Sequence, residues 1–237
     1  MTSLQDRLDR GEIVLLDGAT GTELERRGVP MDKVAWSAAA NDSHASTVRE
    51  VHEDYIRAGA DVITTNTFAS QRHVLELAGM GDQVRELNLR AVRIAQQARE
   101  NSYNGRTVSI AGSMSTFYAG LERGNAPSPT QARVNYLEQA ELLAEGGVDL
   151  LALEMIQDTE QGAYAVEAAL KTGMPMWIGF SCKLSEDGSS LQLMRGQPLE
   201  DGLDVLLPPG GSAVTVMHTL TEHTIRVLRA VMARWSG

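Results

Sequence analysis

Cysteine is almost missing from this chain: Cys182 is the only one in 237 residues. That excludes an internal disulfide and any site assembled from several thiolates of the same chain. A basic excess is missing as well. Thirty-one acidic against 21 basic residues leave a formal charge of −10, with no basic arm or block, which disfavours nucleic acid and anionic membrane as partners. No apolar run approaches the roughly 18 residues of a membrane span. The opening MTSLQDRLDRGE is polar and charged, unlike a signal or transit peptide, so a cytoplasmic location is expected. Two phosphate-binding motifs are also lacking. The GATGTE turn has neither the Gly-Lys-Ser/Thr ending of a P-loop nor the third glycine of the dinucleotide fingerprint.

What is present begins at LLDGATGTELERRG, Leu15–Gly28. Ile13 to Leu16 are four consecutive apolar residues, the pattern of a strand buried on both faces of a parallel sheet. Asp17 stands at its end. Gly18 and Gly21 allow a close backbone approach, and Thr20 or Thr22 can cap a helix beginning near Thr22. Asp17 and the threonines could equally satisfy backbone donors in a tight turn.

The same arrangement repeats downstream. A polar stretch, Val29–Ser43, leads to a helix over Ala45–Ala58 closed by Gly59, then to a strand, Ala60–Thr65, ending in Asn66-Thr67-Phe68. An amphipathic helix over Val84–Arg99 precedes the strand Thr107–Ala111 and Gly112-Ser113-Met114. The long loop that follows, with Tyr118, Gly124, Pro127 and Pro129, is either a lid or disordered. Thr130 is expected to cap a helix running to about Glu145. Next come the strand Asp149–Leu153 with Glu154 at its end, a helix over Asp158–Lys171, and the strand Met174–Ser181 with Cys182 and Lys183 at its end. SEDGSS reads as a turn, Leu199–Leu206 as a short helix, Ser212–Met217 as a sixth strand ending at His218, and Thr221–Trp235 as a last helix.

Strands alternating with helices require parallel pairing through crossovers. Polar residues follow the strands at Asp17, Asn66, Ser113, Glu154, Cys182, Lys183 and His218. In a barrel these ends converge on one face, whereas an open doubly wound sheet would concentrate its ligand groups at one switch point. The expected fold class is therefore α/β, a (β/α)8 TIM-type barrel with only about six βα units in this chain. Residues 1–237 are expected to form one barrel domain lacking its last two βα units. An open barrel of this kind would expose apolar strand edges.

LLDGATGTELERRG, ADVITTNTF and DLLALEM, in this order and separation, resemble the homocysteine S-methyltransferase family, which includes the homocysteine-binding domains of methionine synthases and the betaine–homocysteine methyltransferases. The resemblance runs from about Glu12 to His218. It implies a barrel that moves a methyl group from a small donor to a thiol such as homocysteine, with zinc holding the sulfur as thiolate. It further implies that Asp17 and Glu154 hold the amino group, with Gly18 and the Asn66, Thr67, Phe68 turn close to the substrate. The family's zinc ligands are three cysteines, and His218 stands where the first would be. Imidazole is a competent zinc ligand, so His218 is the metal candidate, although the usual cysteines are not found in this chain. Cys182 lies one strand earlier and reads as a buried small residue.

Two alternatives stand beside methyl transfer. One is a metal-free amino-acid-binding barrel, acting as a sensor or as a subunit of a methyl-transfer assembly. The other is a Schiff-base lyase using Lys183, one of three lysines in the chain. The expected partners are a small-molecule thiol and a methyl donor, with homo-oligomerisation or a methyl-transfer partner left open.

Overall fold

The computed structural model describes residues 3–117 and 127–235. Its helices are α1 (Leu4–Asp9), α2 (Thr20–Arg26), α3 (Ala40–Ser43), α4 (Ala45–Ala58), α5 (Arg72–Leu77), α6 (Val84–Asn101), α7 (Pro129–Gly146), α8 (Thr159–Thr172), α9 (Leu199–Leu206) and α10 (Thr221–Met232). The strands are β1 (Val62–Thr64), β2 (Ser109–Ser115), β3 (Leu150–Ile156), β4 (Met176–Leu184), β5 (Leu191–Leu193) and β6 (Ala213–Met217). Strands β1, β2, β3, β4 and β6 pair in parallel in that spatial order, while β5 folds back antiparallel on the end of β4. No helix of the described residues is long and apolar enough to cross a membrane.

The period-2 alternation of strands sorts the sheet into two faces. Ile63, Ile110, Leu151, Ile178 and Phe180 point outward into the main core, with Ile56, Val92, Leu143, Tyr164 and Val227 of the surrounding helices. Val62, Ala111, Ala152 and Trp177 point inward and form the floor of the barrel, against which Leu4 and Leu8 of α1 pack. Two residues further along each strand, the same parity aims Thr64, Ser113, Glu154, Gly179 and Thr215 into the lumen. The polar layer thus sits directly on an apolar floor. Gly179 is required there, because a Cβ would lie 2.7 Å from the Leu153 carbonyl oxygen and 2.9 Å from Thr215 Oγ1.

Several expectations need correction. Ile13–Leu16 is not a buried strand: only Leu16 bridges Val62, and Ile13, Leu15 and Leu16 are 82%, 53% and 50% exposed. Among the described residues β1 is the one strand paired with this segment. Helix α2 starts at Thr20, after Ala19, and no threonine side chain caps it. Ser128, not Thr130, caps α7: its side chain accepts from the Gln131 N–H, and Pro129 takes the first helical position. SEDGSS is a turn as expected, at the tip of a hairpin whose second strand, β5, was not anticipated and whose three pairs run from Cys182–Leu193 to Leu184–Leu191. The proposed lid loop at Tyr118 and Gly124 lies outside the described residues.

Helix α10 carries two apolar faces. Val227 and Val231 are buried against the barrel, whereas Ile225, Leu228 and Met232, spaced i, i+3, i+7, are exposed. Together with Ile13, Leu15 and Leu16 they put exposed apolar side chains on both flanks of the sheet, the exposure expected of an open barrel.

His52 of α4 is fully buried, and neither ring nitrogen has a hydrogen-bond partner among the described residues. Burial pushes its pKa down to about 4, so the folded state holds it neutral while the unfolded chain takes up a proton below about 6.5. Stability tied to this group is present above pH 6.5 and is lost as pH falls toward 4. In urea titrations, His52→Leu is expected to gain on the parent by up to about 3 kcal/mol between pH 7 and pH 4. A difference independent of pH would refute the buried neutral imidazole.

Candidate active site

A cavity of about 360 Å³ opens at the C-terminal ends of the strands, lined by the Gly18–Thr22 turn, Thr64–Asn66, Ser113, Glu154 and His218, with Trp36, Phe68 and Phe117 as aromatic walls. Among the described residues no lysine or arginine lines it. Its position follows from strand parity, which brings the lumen-facing polar layer to the mouth.

Asp17 lies at the edge of this cavity, and its carboxylate accepts hydrogen bonds from the Thr64 N–H (2.7 Å) and the Thr64 hydroxyl (2.9 Å). Burial pushes its pKa up to about 7 against the pull of these two bonds, and the charge of Glu154 adds to the rise. Glu154 sits deeper. Burial raises its pKa as well, opposed by the Ser113 hydroxyl, which donates to Oε2. Neither carboxylate forms an ion pair among the described residues. Two neighbouring, partly desolvated acids without a cation are costly, and an ammonium group placed between them would relieve both desolvation and mutual repulsion.

The turn after Asp17 is pressed close to α4. A Cβ at Gly18 would lie 2.7 Å from the Tyr55 hydroxyl, and one at Gly21 would lie 2.1 Å from Trp36 Nε1. Glycine at both positions lets Tyr55 support the turn from below and Trp36 lie across it.

The Asn66, Thr67, Phe68 segment divides its roles. Asn66 lines the cavity, but its side chain accepts from the Ser37 hydroxyl (2.6 Å) and donates to the Ser37 carbonyl and Asn41 Oδ1. Thr67 is fully buried beneath the cavity, its hydroxyl donating to the Ser113 carbonyl at 2.7 Å. Phe68 is a wall, its ring centroid 5.8 Å from Phe117 and 5.9 Å from His218.

Trp36, Met155 and His218 are the non-glycine residues with positive φ among the described residues, at 51°, 53° and 46°, and all three line this cavity. Such conformations cost on the order of 1 to 3 kcal/mol each. Met155 marks a register shift between Leu153 and Ile156 that returns Ile156 to the outer core while Glu154 stays in the lumen. Asp32 holds Trp36: its N–H donates to the Trp36 carbonyl, and its carboxylate accepts from the Val34 and Ala35 N–H groups.

Sequence reasoning missed Trp36 because it treated Val29–Ser43 as a connection, although an aromatic beside an aspartate-centred turn was visible there. It missed Thr64, which looked like an ordinary strand residue. Ser113 was noted as a strand-end polar residue but not assigned to the site.

His218 faces both this cavity and an adjoining one lined by Cys182, Lys183, Met194 and His223. Burial lowers the imidazole pKa. Cys182 is 2% exposed and burial pushes its thiol up to about 12, so it is the inert buried residue its sequence context indicated. Among the described residues no group of three or more histidine, cysteine, aspartate or glutamate side chains could hold a metal ion. One imidazole does not make a zinc centre, so the described residues alone do not fit the metal that the resemblance implies. Lys183 is exposed on the β4–β5 hairpin and does not line the carboxylate cavity. A Schiff-base nucleophile needs a desolvated amine, which this lysine is not.

The homocysteine S-methyltransferase family model matches residues 14–230. The homocysteine S-methyltransferase of Escherichia coli is 31% identical over 217 residues, covering 86% of this chain and 68% of that protein. A selenocysteine methyltransferase of Astragalus bisulcatus is 30% identical over 221 residues, 81% of this chain and 63% of that one. The chain thus spans 63% to 68% of the length of these two relatives. Among solved structures, the metallated form of the homocysteine methyltransferase MmuM from Escherichia coli superposes with a TM-score of 0.81 at 28% identity, covering 96% of this chain and 82% of that one. With the match running through the Asp17 turn, the Glu154 strand and the helices between them, the chain belongs to the homocysteine S-methyltransferase family.

Proposed function

We propose that this chain binds the amino-acid end of a small thiol such as homocysteine and presents its sulfur for methylation. The observation that carries this reading is the pair of half-buried carboxylates, Asp17 and Glu154, at the barrel mouth, which have no cationic partner among the described residues. They suit an ammonium group. The glycine turn allows the amino-acid backbone to approach closely, and Trp36, Phe68 and Phe117 wall the space above.

In the transfer itself a sulfur lone pair forms the new bond to the methyl carbon as the donor–methyl bond breaks. The breaking bond's electron pair leaves with the donor, and the thiol proton passes to solvent. The barrel contributes mainly by positioning the two reactants in line. The single imidazole at the mouth also favours a second reading, amino-acid binding independent of metal by a sensor or a subunit of a larger methyl-transfer assembly. Zinc chelation separates the two: under the second reading, homocysteine affinity stays within about twofold after EDTA treatment, whereas a zinc-held thiolate would lose most of its affinity.

In calorimetry, Glu154→Gln is expected to weaken homocysteine binding by roughly tenfold or more. Binding of 4-mercaptobutanoate, which lacks the amino group, should be the same in parent and variant. Equal homocysteine affinity in the two proteins would sink the proposal.

The pH dependence has a defined sign. In the empty site Asp17 is protonated below about pH 7, and an ammonium ligand requires it ionised. Homocysteine affinity is therefore expected to fall as pH drops below 7, with net proton release on binding at pH 6.5, measured as a dependence of the calorimetric heat on buffer ionisation enthalpy. Absence of proton release would place the ammonium elsewhere.

A further inference from the structure

Between the Asp17 turn and Glu154 lies a closed set of hydroxyl bonds whose directions follow from proton count. The Thr67 hydroxyl donates its only proton to the Ser113 carbonyl. It must therefore accept in its 2.7 Å contact with Thr65 Oγ1, which makes Thr65 the donor there. Thr65 Oγ1 in turn accepts from the Ser113 N–H at 3.1 Å. Both polar groups of the Ser113 backbone are thus held by two side chains, just past the point where the β1–β2 ladder ends at Thr64 and Ala111. The carbonyl of Thr67 is itself held by Gln139 of α7 at 2.9 Å.

Among the described residues the Ser113 hydroxyl has one partner, Glu154 Oε2. Oε1 of Glu154 has no hydrogen bond among the described residues. From this geometry we infer that Ser113, clamped by the hydroxyls of Thr65 and Thr67, is a positioning residue that aims one oxygen of Glu154 at the ligand's amino group. The inference rests on the reading of Glu154 as an ammonium acceptor.

A serine that merely filled space would serve as well without its hydroxyl. Ser113 is 1% exposed, as is Thr116, and Ser115 and Thr67 are fully buried, so the clamp works out of contact with bulk water, where each bond counts for more. Among the described residues, the charged or titratable groups around Glu154 are Asp17, beyond the first strand segment, and His218, after β6. Neither is a cation able to take over from the Ser113 hydroxyl: Asp17 is an acid, and burial favours the neutral imidazole of His218.

The test is homocysteine calorimetry across pH 6 to 9 on the parent, Ser113→Ala, Ser113→Cys and Thr67→Val, with circular dichroism to check the fold. Ser113→Ala is expected to weaken binding by roughly tenfold to a hundredfold and to move the pH at which affinity is lost upward, because the carboxylate loses a donor. Ser113→Cys, a weaker donor of similar size, should fall between parent and alanine variant. Thr67→Val keeps the serine but frees its carbonyl, and should show a smaller loss with the same upward displacement. If Ser113→Ala binds as the parent does with an unmoved pH profile while Glu154→Gln has lost binding, the positioning role is overturned and the pocket reading stands. If the parent itself does not bind homocysteine, the pocket reading falls and this inference falls with it.

Discussion

The site depends on two half-buried carboxylates that have no cationic partner among the described residues. Asp17 and Glu154 are both pushed up by desolvation, and the charge of Glu154 adds to the rise at Asp17. Leaving such groups unpaired costs stability that a fold does not spend without return. Thr64 and Ser113 compensate with hydroxyl and N–H donors, enough to orient the acids and too little to neutralise them. What remains is an electrostatic demand for a positive charge, in a cavity where the described lining residues include no lysine or arginine.

Around these acids the backbone carries strain in a consistent place. Trp36, Met155 and His218 adopt left-handed conformations, and each lines the same cavity. Strain at Met155 has a visible structural return: the register shift sends Ile156 to the outer core and leaves Glu154 facing inward. Trp36 is held by the Asp32 turn over a glycine that leaves room for its indole. Buried amides do comparable work on the segment between β1 and α5, where Asn41, Asn88 and Gln139 bond the carbonyls of Asn66, Ser70 and Thr67. An irregular stretch passing through the interior needs such partners, because its backbone has no ladder of its own.

Much of this was legible beforehand, and the misses share one cause. Apolar runs followed by Gly, Asn or an acid placed the parallel strands, and the helices over Ala45–Ala58 and Leu199–Leu206 have the expected bounds. The Ile13–Leu16 run shows why composition misleads at an edge. Four apolar residues signal two covered faces, but coverage is supplied by neighbours, and here β1 is the one strand paired with them among the described residues. The β4–β5 hairpin was read as a turn because its second strand has three residues, too few to show alternation. Asn66 and Thr67 looked alike in sequence, and only packing made one a cavity wall and the other a buried clamp.

By itself, the amino-acid sequence determined the parallel α/β order, the polar residue at the end of each strand, and the acidic chemistry of Asp17 and Glu154. These are local properties, set by periodicity and side-chain type. The tertiary structure decided which strand-end groups share a cavity, because that depends on register and twist across residues 41 to 47 positions apart. It brought Thr64 to Asp17 and Ser113 to Glu154, and it left Lys183 in solvent. It also decided the protonation of the two acids, since desolvation and mutual charge exist only once the chain has closed around them.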